Sequence, residues 1–250
     1  ARIVVTDDQG RYLVPDLPEA NYRLWVRGYG LVDSQPAPGT RGELMDLTAS
    51  VAGDAAAAAQ VYPAAYWYSM MGLPTEDEVA ELDGGLNEYL TWVKNMGCVG
   101  CHQLGNEATR TLPSSLAGME SSEEAWWRRI ASGQAGQSMF GIANRLEGLP
   151  IKYMAEWTDR VAAGELPVHA PERPSGVERN VVATVRDWSS PQFYMHDLSG
   201  TDRRDPTVNG YGKLYGAPEL STDEMPILDP VANTSSVYDL PVRDENTPTT

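Results

Sequence analysis

The stretch Cys98-Val99-Gly100-Cys101-His102 holds both cysteines of the 250-residue chain and guides the interpretation of the rest of the sequence. In a Cys-x-x-Cys-His sequence the two thiols are spaced to bond to the vinyl groups of a haem, and the adjacent histidine is placed to bind its iron. A dithiol redox motif would instead lie at a strand-to-helix junction in a βαβ unit. A zinc site would need two further ligands at short spacing, whereas His169 and His196 lie far along the chain. We therefore expect one covalently bound haem c.

Hydrophobic periodicity predicts helices on both sides of this motif. Residues 79–96 are expected to form an amphipathic helix that leads into it. The apolar residues at helical spacing are Leu82, Leu86, Leu90 and Val93. After the motif, Ser121 followed by Glu123 and Glu124 is typical of a capped helix start, and the helix is expected to extend to Ile130. A last helix is expected from about 151 to 163.

With the sequence Pro113-x-x-Leu116-x-Gly118 after the motif, residues from about 82 to 167 resemble a class I cytochrome c. The resemblance implies an all-α haem domain, placed at 79–167, in which the first and last helices cross beside the haem. It also implies that the proline of the loop helps to orient the iron-binding histidine. The haem would be anchored by Cys98 and Cys101 and bound at iron by His102, and suitable packing residues are Leu86, Leu90 and Trp157.

The sixth ligand of the iron determines what such a haem does. A methionine thioether raises the reduction potential and, with histidine, gives a closed site suited to electron transfer. We expect Met139, because it follows a glycine-rich segment that resembles the loop delivering the axial methionine in small bacterial cytochromes c. Met119 and Met154 are the other methionines close enough in sequence, and His196 would give a bis-histidine site of lower potential.

The first 48 residues are expected to form short β-strands, at 2–6, 11–14 and 21–27. The sequence Thr6-Asp7-x-x-Gly10-x-Tyr12-x-x-Pro15-x-Leu17-Pro18 resembles the carboxypeptidase-regulatory-like, transthyretin-like β-sandwich. The resemblance covers only the later strands of that module. It therefore implies a partial sandwich, whose first strands come from a preceding part of the protein or from another chain or subunit.

The other segments complete a multidomain α+β chain. Residues 49–78 are expected to be an aromatic-rich linker that is too short and too polar to span a membrane. Residues 168–250 are expected to be an irregular arm with short strands near 181–185 and 213–215. The whole arrangement resembles periplasmic proteins that continue into a β-propeller similar to virginiamycin B lyase, so this arm is either the start of a β domain or a small β domain of its own.

Composition excludes some classes of function. The chain has 19 basic and 35 acidic residues, a net charge of −16, which disfavours binding to nucleic acid because phosphate contacts need clustered Lys and Arg. No nucleophile elbow or phosphate loop is present. We expect an exported, periplasmic protein that relays single electrons to or from a redox partner protein. The alternatives are the haem segment of a larger oxidoreductase with its substrate site elsewhere, or a structural subunit of a multiprotein assembly.

Overall fold

The computed structural model describes residues 1–132, 135–186, 188, 195–202, 204–218 and 223–241, with the side chains of 195–197 and 218 outside this description. These residues form helices and small antiparallel sheets, so the chain belongs to the α+β class, as expected. The chain divides into two compact units. The helical unit comprises residues 23–38 and 44–173, and the sheet unit comprises residues 1–22, 39–43 and the described residues from 174 onward.

The described residues of the helical unit form eight short α-helices. They are α1 (Ala55–Ala59), α2 (Ala64–Tyr68), α3 (Gly85–Leu90), α4 (Cys98–Cys101), α5 (Glu107–Arg110), α6 (Ser122–Ile130), α7 (Gly136–Arg145) and α8 (Leu149–Ala162). A π-helical turn, Thr91–Asn95, follows α3, and a 3₁₀ turn, Ser114–Leu116, precedes α6. The longest helix, α8, has 14 residues, and no helix in the described part of the chain combines the length and apolar character needed to span a membrane.

The core of the helical unit forms where α6 and α8 pack together and against the segment before the Cys-x-x-Cys-His motif. The side chains of Tyr89, Val93, Leu146 and Trp157 are fully buried there. Helix α6 begins as its capping pattern predicts, because the Ser121 hydroxyl accepts a hydrogen bond from the backbone N–H of Glu124 at 3.1 Å. The observed α8 begins two residues before the expected boundary.

Residues 49–78, the predicted aromatic-rich linker, contribute side chains to the core of the helical unit. They contain α1 and α2, and the side chains of Ala59, Trp67 and Met71 are buried in the same core cluster as Trp157. The reason is hydrophobic burial, because an aromatic-rich segment loses free energy by covering apolar surface from water. The sequence showed the aromatic content of this segment but not that its side chains would be buried in this core.

The helix before the motif is shorter than the predicted range of 79–96. Gly85 has a φ of +53°, a left-handed conformation that a right-handed helix does not continue through. Residues 76–84 therefore form turns, although Val79 and Leu82 are still buried. The regular helix begins at Gly85 and passes into the π-helical turn.

The first 51 residues contain five strands, each two or three residues long. They are β1 (Arg2–Ile3), β2 (Tyr22–Leu24), β3 (Leu31–Val32), β4 (Ala37–Gly39) and β5 (Ser50–Val51). β2 pairs with β4, and β3 pairs with β5. Residues 11–14 form no strand, and the preceding turn is held by Asp7, whose carboxylate accepts hydrogen bonds from Gln9 and Arg11. The regulatory-like sandwich over residues 1–48 stays a prediction.

The sheet unit ends in a four-stranded antiparallel sheet. After β6 (Ala183–Thr184), which pairs with β1, the strands are β7 (Met195–Ser199), β8 (Leu214–Pro218), β9 (Glu224–Asp229) and β10 (Thr234–Asp239). Their order is β10-β9-β8-β7, so sequential strands are neighbours, as in a meander. Two of the strands, β6 and β8, lie where short strands were predicted. Pro226 and Leu228 alternate as the buried residues of β9.

Candidate functional site

The Cys-x-x-Cys-His motif forms a single helical turn that ends at the histidine. Cys98 and Cys101 are the first and last residues of α4, and residues three apart in a helix lie on the same side. His102 is the C-cap, with an extended backbone, and its N–H donates to the Cys98 carbonyl at 3.0 Å. The two thiols and the imidazole are therefore carried by one short, hydrogen-bonded segment.

The two thiols lie in different environments. Cys98 is partly buried and packs against the core, whereas Cys101 is exposed. Burial raises the pKa of the Cys98 thiol to about 11. A redox-active Cys-x-x-Cys motif needs the opposite shift, because its attacking thiol must ionise near neutral pH. The environment of Cys98 therefore disfavours dithiol exchange as the function of the motif.

A zinc site at the motif would need two further ligands close by. Among the described residues, no three His, Cys, Asp or Glu side chains are grouped so that they could hold a metal ion. The motif itself contributes two thiols and one histidine within five residues. That set matches the requirement of covalent haem attachment.

A π-helical turn leads into the motif from α3. The N–H of Met96 donates to the Thr91 carbonyl at 2.9 Å, and such wider turns occur frequently at functional sites. Lys94 in this turn lies over the Tyr68 ring, with Nζ 4.5 Å from the ring centroid. The Tyr68 hydroxyl donates to the Val93 carbonyl at 3.1 Å. These contacts tie the segment before the motif to α2.

Met139 lies in the first turn of α7, where the sequence suggested a loop. Its N–H donates to the Ala135 carbonyl at 3.0 Å, and its side chain is partly buried against the core that Cys98 also contacts. The preceding Gly133 and Gln134, part of the predicted loop, lie outside the described residues. Because the regular helix begins at Gly136, Met139 lies in a helical turn.

Helix α7, which carries Met139, is fixed against the segment that leads into the motif. The Arg145 side chain pairs with Glu88 of α3, with Nε 2.8 Å from the carboxylate oxygen. Its guanidinium also lies over the Trp92 ring, 5.2 Å from the centroid. One residue of α7 therefore contacts both α3 and the π-helical turn.

The other candidate ligands occupy different positions. Met154 is buried within α8, where core packing accounts for it, and Met119 is half-buried in a turn before α6. His196 is a residue of β7 in the sheet unit, and its side chain lies outside the described residues. Met139 is the candidate that combines partial burial with a helix tied to the motif.

The core beside the motif contains polar atoms that sequence reasoning did not identify. Within the described part of the chain, Trp67 Nε1, Tyr89 Oη and Trp157 Nε1 are buried without a hydrogen-bond partner. Buried polar groups are nearly always paired, so three such atoms in one core point to a missing acceptor. A haem brings two carboxylates, and the residues present therefore fit this group. Only the aromatic content near residue 67 hinted at them in the sequence.

No known family model matches this chain, and no characterised protein or solved structure is significantly similar to it. The function is therefore inferred from the residues of the chain themselves.

Proposed function

We propose that this protein is a c-type haem protein that relays single electrons, and that its haem is bound covalently by Cys98 and Cys101. His102 would bind the iron on one side and Met139 on the other. The observation that carries the proposal is the helical turn of α4, which places two thiols on one side and ends at a histidine. When bound, haem c supplies a one-electron redox centre.

The residues of the chain would set the properties of that centre. Partial burial keeps the Cys98 thiol protonated, so it is held for bond formation and not for disulfide exchange. The buried aromatic core of the helical unit would exclude water from one side of the group. A methionine sulfur as the sixth ligand raises the reduction potential, which suits a carrier that cycles between two oxidation states.

The wider assignment extends this proposal to the whole chain. We propose a class I cytochrome c domain within the helical unit, a periplasmic location, and a redox partner protein. The four-stranded meander β7-β8-β9-β10 supports the suggestion that the C-terminal arm begins a β-propeller, because such a meander is the blade unit of that architecture. A partner subunit that completes the N-terminal strands belongs to the same proposal.

A haem stain after denaturing electrophoresis tests covalent attachment. The protein is produced in cells with the apparatus for attaching haem c, as wild type, as the double variant Cys98→Ser/Cys101→Ser and as Met96→Leu. We expect haem to stay with the wild type and with Met96→Leu, whose methionine is exposed beside the motif. Loss of stain is expected for the double cysteine variant. A wild-type band without haem would refute the proposal.

Potentiometry tests the sixth ligand. Replacing Met139 with Ala should lower the reduction potential and produce a high-spin ferrous form that binds CO, because a coordination position opens. The control is Met154→Leu, a volume-conserving change in the core that should leave the potential unchanged. If only the Met154 variant shifts the potential, Met139 is not the ligand. If the wild type is already high-spin and binds CO, electron relay is the wrong function.

A further inference from the structure

Tyr153 of α8 lies in the core with its hydroxyl held against a carboxylate. Only 8% of the residue is exposed, and its Oη donates to Oε2 of Glu78 at 2.7 Å. Lys152 donates to the other carboxylate oxygen, and the backbone N–H of Thr75 donates to Oε2 at 2.8 Å. The carboxylate is therefore fixed at the distance from the phenol across which a proton can be transferred.

At neutral pH the proton of this hydrogen bond belongs to Tyr153. Burial and the hydrogen bond to Glu78 raise the pKa of the phenol to about 12. Hydrogen bonds from Lys152, Thr75 and Tyr153 lower the pKa of the Glu78 carboxyl to about 2. The carboxylate is thus ionised and can accept a proton whenever the phenol becomes a stronger acid.

The loss of one electron turns a phenol into such an acid. A neutral phenol ionises only near pH 10 in water, roughly the value of free tyrosine. Its radical cation releases the proton far more readily, because the ring then carries a positive charge. A tyrosine is therefore oxidised most easily where a base already accepts the hydrogen bond of its hydroxyl.

Aromatic rings extend from Tyr153 into the interior of the helical unit. Tyr89 is fully buried, and its ring meets that of Tyr153 edge to face, with 6.3 Å between the centroids. Trp157 lies one helical turn after Tyr153 on α8, and its ring centroid is 6.2 Å from that of Tyr68. These spacings are those of direct aromatic contact, so an electron has only short gaps to cross between neighbouring rings.

Three tyrosines of this core, Tyr68, Tyr89 and Tyr153, differ in what accepts the hydrogen bond of the hydroxyl. Tyr68 donates to the backbone carbonyl of Val93 at 3.1 Å, and an amide oxygen is too weak a base to take the proton. The hydroxyl of Tyr89 has no acceptor within the part of the chain that the structure describes. Of these three, only Tyr153 donates to a carboxylate, so only Tyr153 has a base ready for its proton.

We propose that Tyr153 is a redox-active residue that returns electrons to an oxidised indole of the core, with Glu78 as its proton acceptor. A strong one-electron oxidant first removes an electron from the indole and leaves its radical cation. Tyr153 then gives one electron to that radical cation, its O–H bond breaks, and the proton bonds to Oε2 of Glu78. The products are a neutral indole, a neutral tyrosyl radical and a protonated Glu78.

This role moves oxidising equivalents from the buried core toward the surface. Trp157 is fully buried, whereas 26% of the Glu78 side chain is accessible to solvent. The role extends beyond electron relay by a haem, because any strong one-electron oxidant that reaches the core can start it. It would protect the buried aromatic side chains from irreversible oxidation.

Electron paramagnetic resonance of labelled protein tests the position of the radical. Tyrosine fluorinated at both ring carbons next to the hydroxyl replaces Tyr153 in one sample and Tyr68 in the matched control. The ferric, haem-loaded protein is oxidised by flash-generated tris(bipyridyl)ruthenium(III) and frozen. Fluorine nuclei split the signal of the labelled radical, which separates it from radicals at other tyrosines. We expect a fluorine-split signal from the label at position 153 and almost none from position 68.

Variants of Glu78 test the proton acceptor. In the protein labelled at position 153, Glu78→Gln should slow formation of the labelled radical about 100-fold, the lower end of what a positioned proton acceptor contributes. Glu78→Asp shortens the side chain, should also slow the reaction, and serves if Glu78→Gln does not fold. Glu81→Gln, at an exposed position of the same segment, is the control and should leave the rate unchanged. Heavy water should slow the reaction when Glu78 is present, because a deuteron then moves with the electron.

The outcomes are distinct from those of the haem experiments. Equal signals from the two labelled positions, or no labelled radical at position 153, would overturn the proposal. So would a rate that neither Glu78→Gln nor heavy water changes. Because the oxidant is added from outside, an absent haem stain would leave this test in place, and its failure would leave the haem proposal intact.

Discussion

At the scale of single residues, the buried indoles of the helical unit differ in whether their N–H groups have an acceptor. Trp126 and Trp157 are both buried indoles of the same core, but only the N–H of Trp126 has an acceptor among the described residues, the hydroxyl of Thr158. That hydroxyl also donates to the backbone of α8, at the Met154 carbonyl. The Thr158 hydroxyl therefore has a structural role that can be measured separately from the proposed haem.

Replacing Thr158 with Val keeps the side-chain volume and removes the acceptor of Trp126. We expect a loss of about 1–3 kcal/mol in the free energy of unfolding, because the indole N–H would stay buried and unpaired. Urea denaturation followed by circular dichroism measures this change. The control is Thr111→Val, whose hydroxyl bonds only to its own helix at an exposed position and should cost less. Equal losses in both variants would contradict the assignment.

Glu78 is the residue whose charge should most affect the dependence of stability on pH. Hydrogen bonds from Lys152, Thr75 and Tyr153 lower the pKa of its carboxyl to about 2, from an ordinary value of 4.5. Because the folded-state pKa is depressed, the stabilisation is present above about pH 4.5 and is lost as the pH falls toward 2.

Glu78→Gln should therefore be less stable than the wild type at pH 7, and the difference should shrink as the pH falls from 5 to 2. Urea midpoints measured across this range test the prediction. Glu81→Gln, at an exposed position of the same segment, is the control and should show a smaller effect at pH 7. A difference between wild type and Glu78→Gln that grows on acidification would contradict the proposed role of the carboxylate.

At the scale of elements, the short helices around the motif are positioned by close backbone contacts. Helix α5 has only four residues and contributes little stability of its own. It is held by the approach of Gly105 to Ala64 and by Arg129, which donates to the carbonyls at its end. The position of α5 therefore depends on packing between elements.

Gly105→Ala tests this packing. The left-handed backbone conformation alone should lower the free energy of unfolding by about 1–3 kcal/mol. The contact of the new Cβ with Ala64 should lower it further. The matched control is Gly100→Ala within the motif, where φ is not positive and a Cβ would meet no atom within 4 Å. Chemical denaturation should show a large loss for Gly105→Ala and almost none for Gly100→Ala. Similar stabilities would show that the loop relaxes freely.

At the scale of the whole molecule, charge is distributed unevenly along the sequence. Residues 94–160, which contain the motif and the helices after it, have seven basic and seven acidic side chains. The net charge of −16 therefore comes entirely from the rest of the chain. An electron-transfer partner that approaches the motif would meet little net charge there.

Electron exchange between the haem-loaded protein and a redox partner should consequently depend only weakly on salt. Steering by net charge is screened within about 10 Å at 0.1 M ionic strength, and little of it is available near the motif. Stopped-flow rates measured from low to high salt test this prediction, with the partner concentration held constant. A rate that falls steeply with added salt would show that charged surface elsewhere guides the encounter.

The sequence by itself determined the local chemistry of this protein. The Cys-x-x-Cys-His spacing determines which atoms would bind the proposed haem, and local capping residues determine where α6 begins, because both depend on neighbours within a few positions. The α+β class also followed from the sequence patterns. Two of the C-terminal strands were predicted in the same way.

Only the tertiary structure decided what the remaining residues do. It buried Ala59, Trp67 and Met71 of the predicted linker in the core, put Met139 on a helix, and brought Arg110 over Trp67. These arrangements depend on contacts between residues far apart in the chain. No local sequence pattern encodes the burial and hydrogen bonding of such residues. The buried N–H and O–H groups without an acceptor could not be predicted for the same reason. A polar group loses its contact with water only once the chain has packed around it.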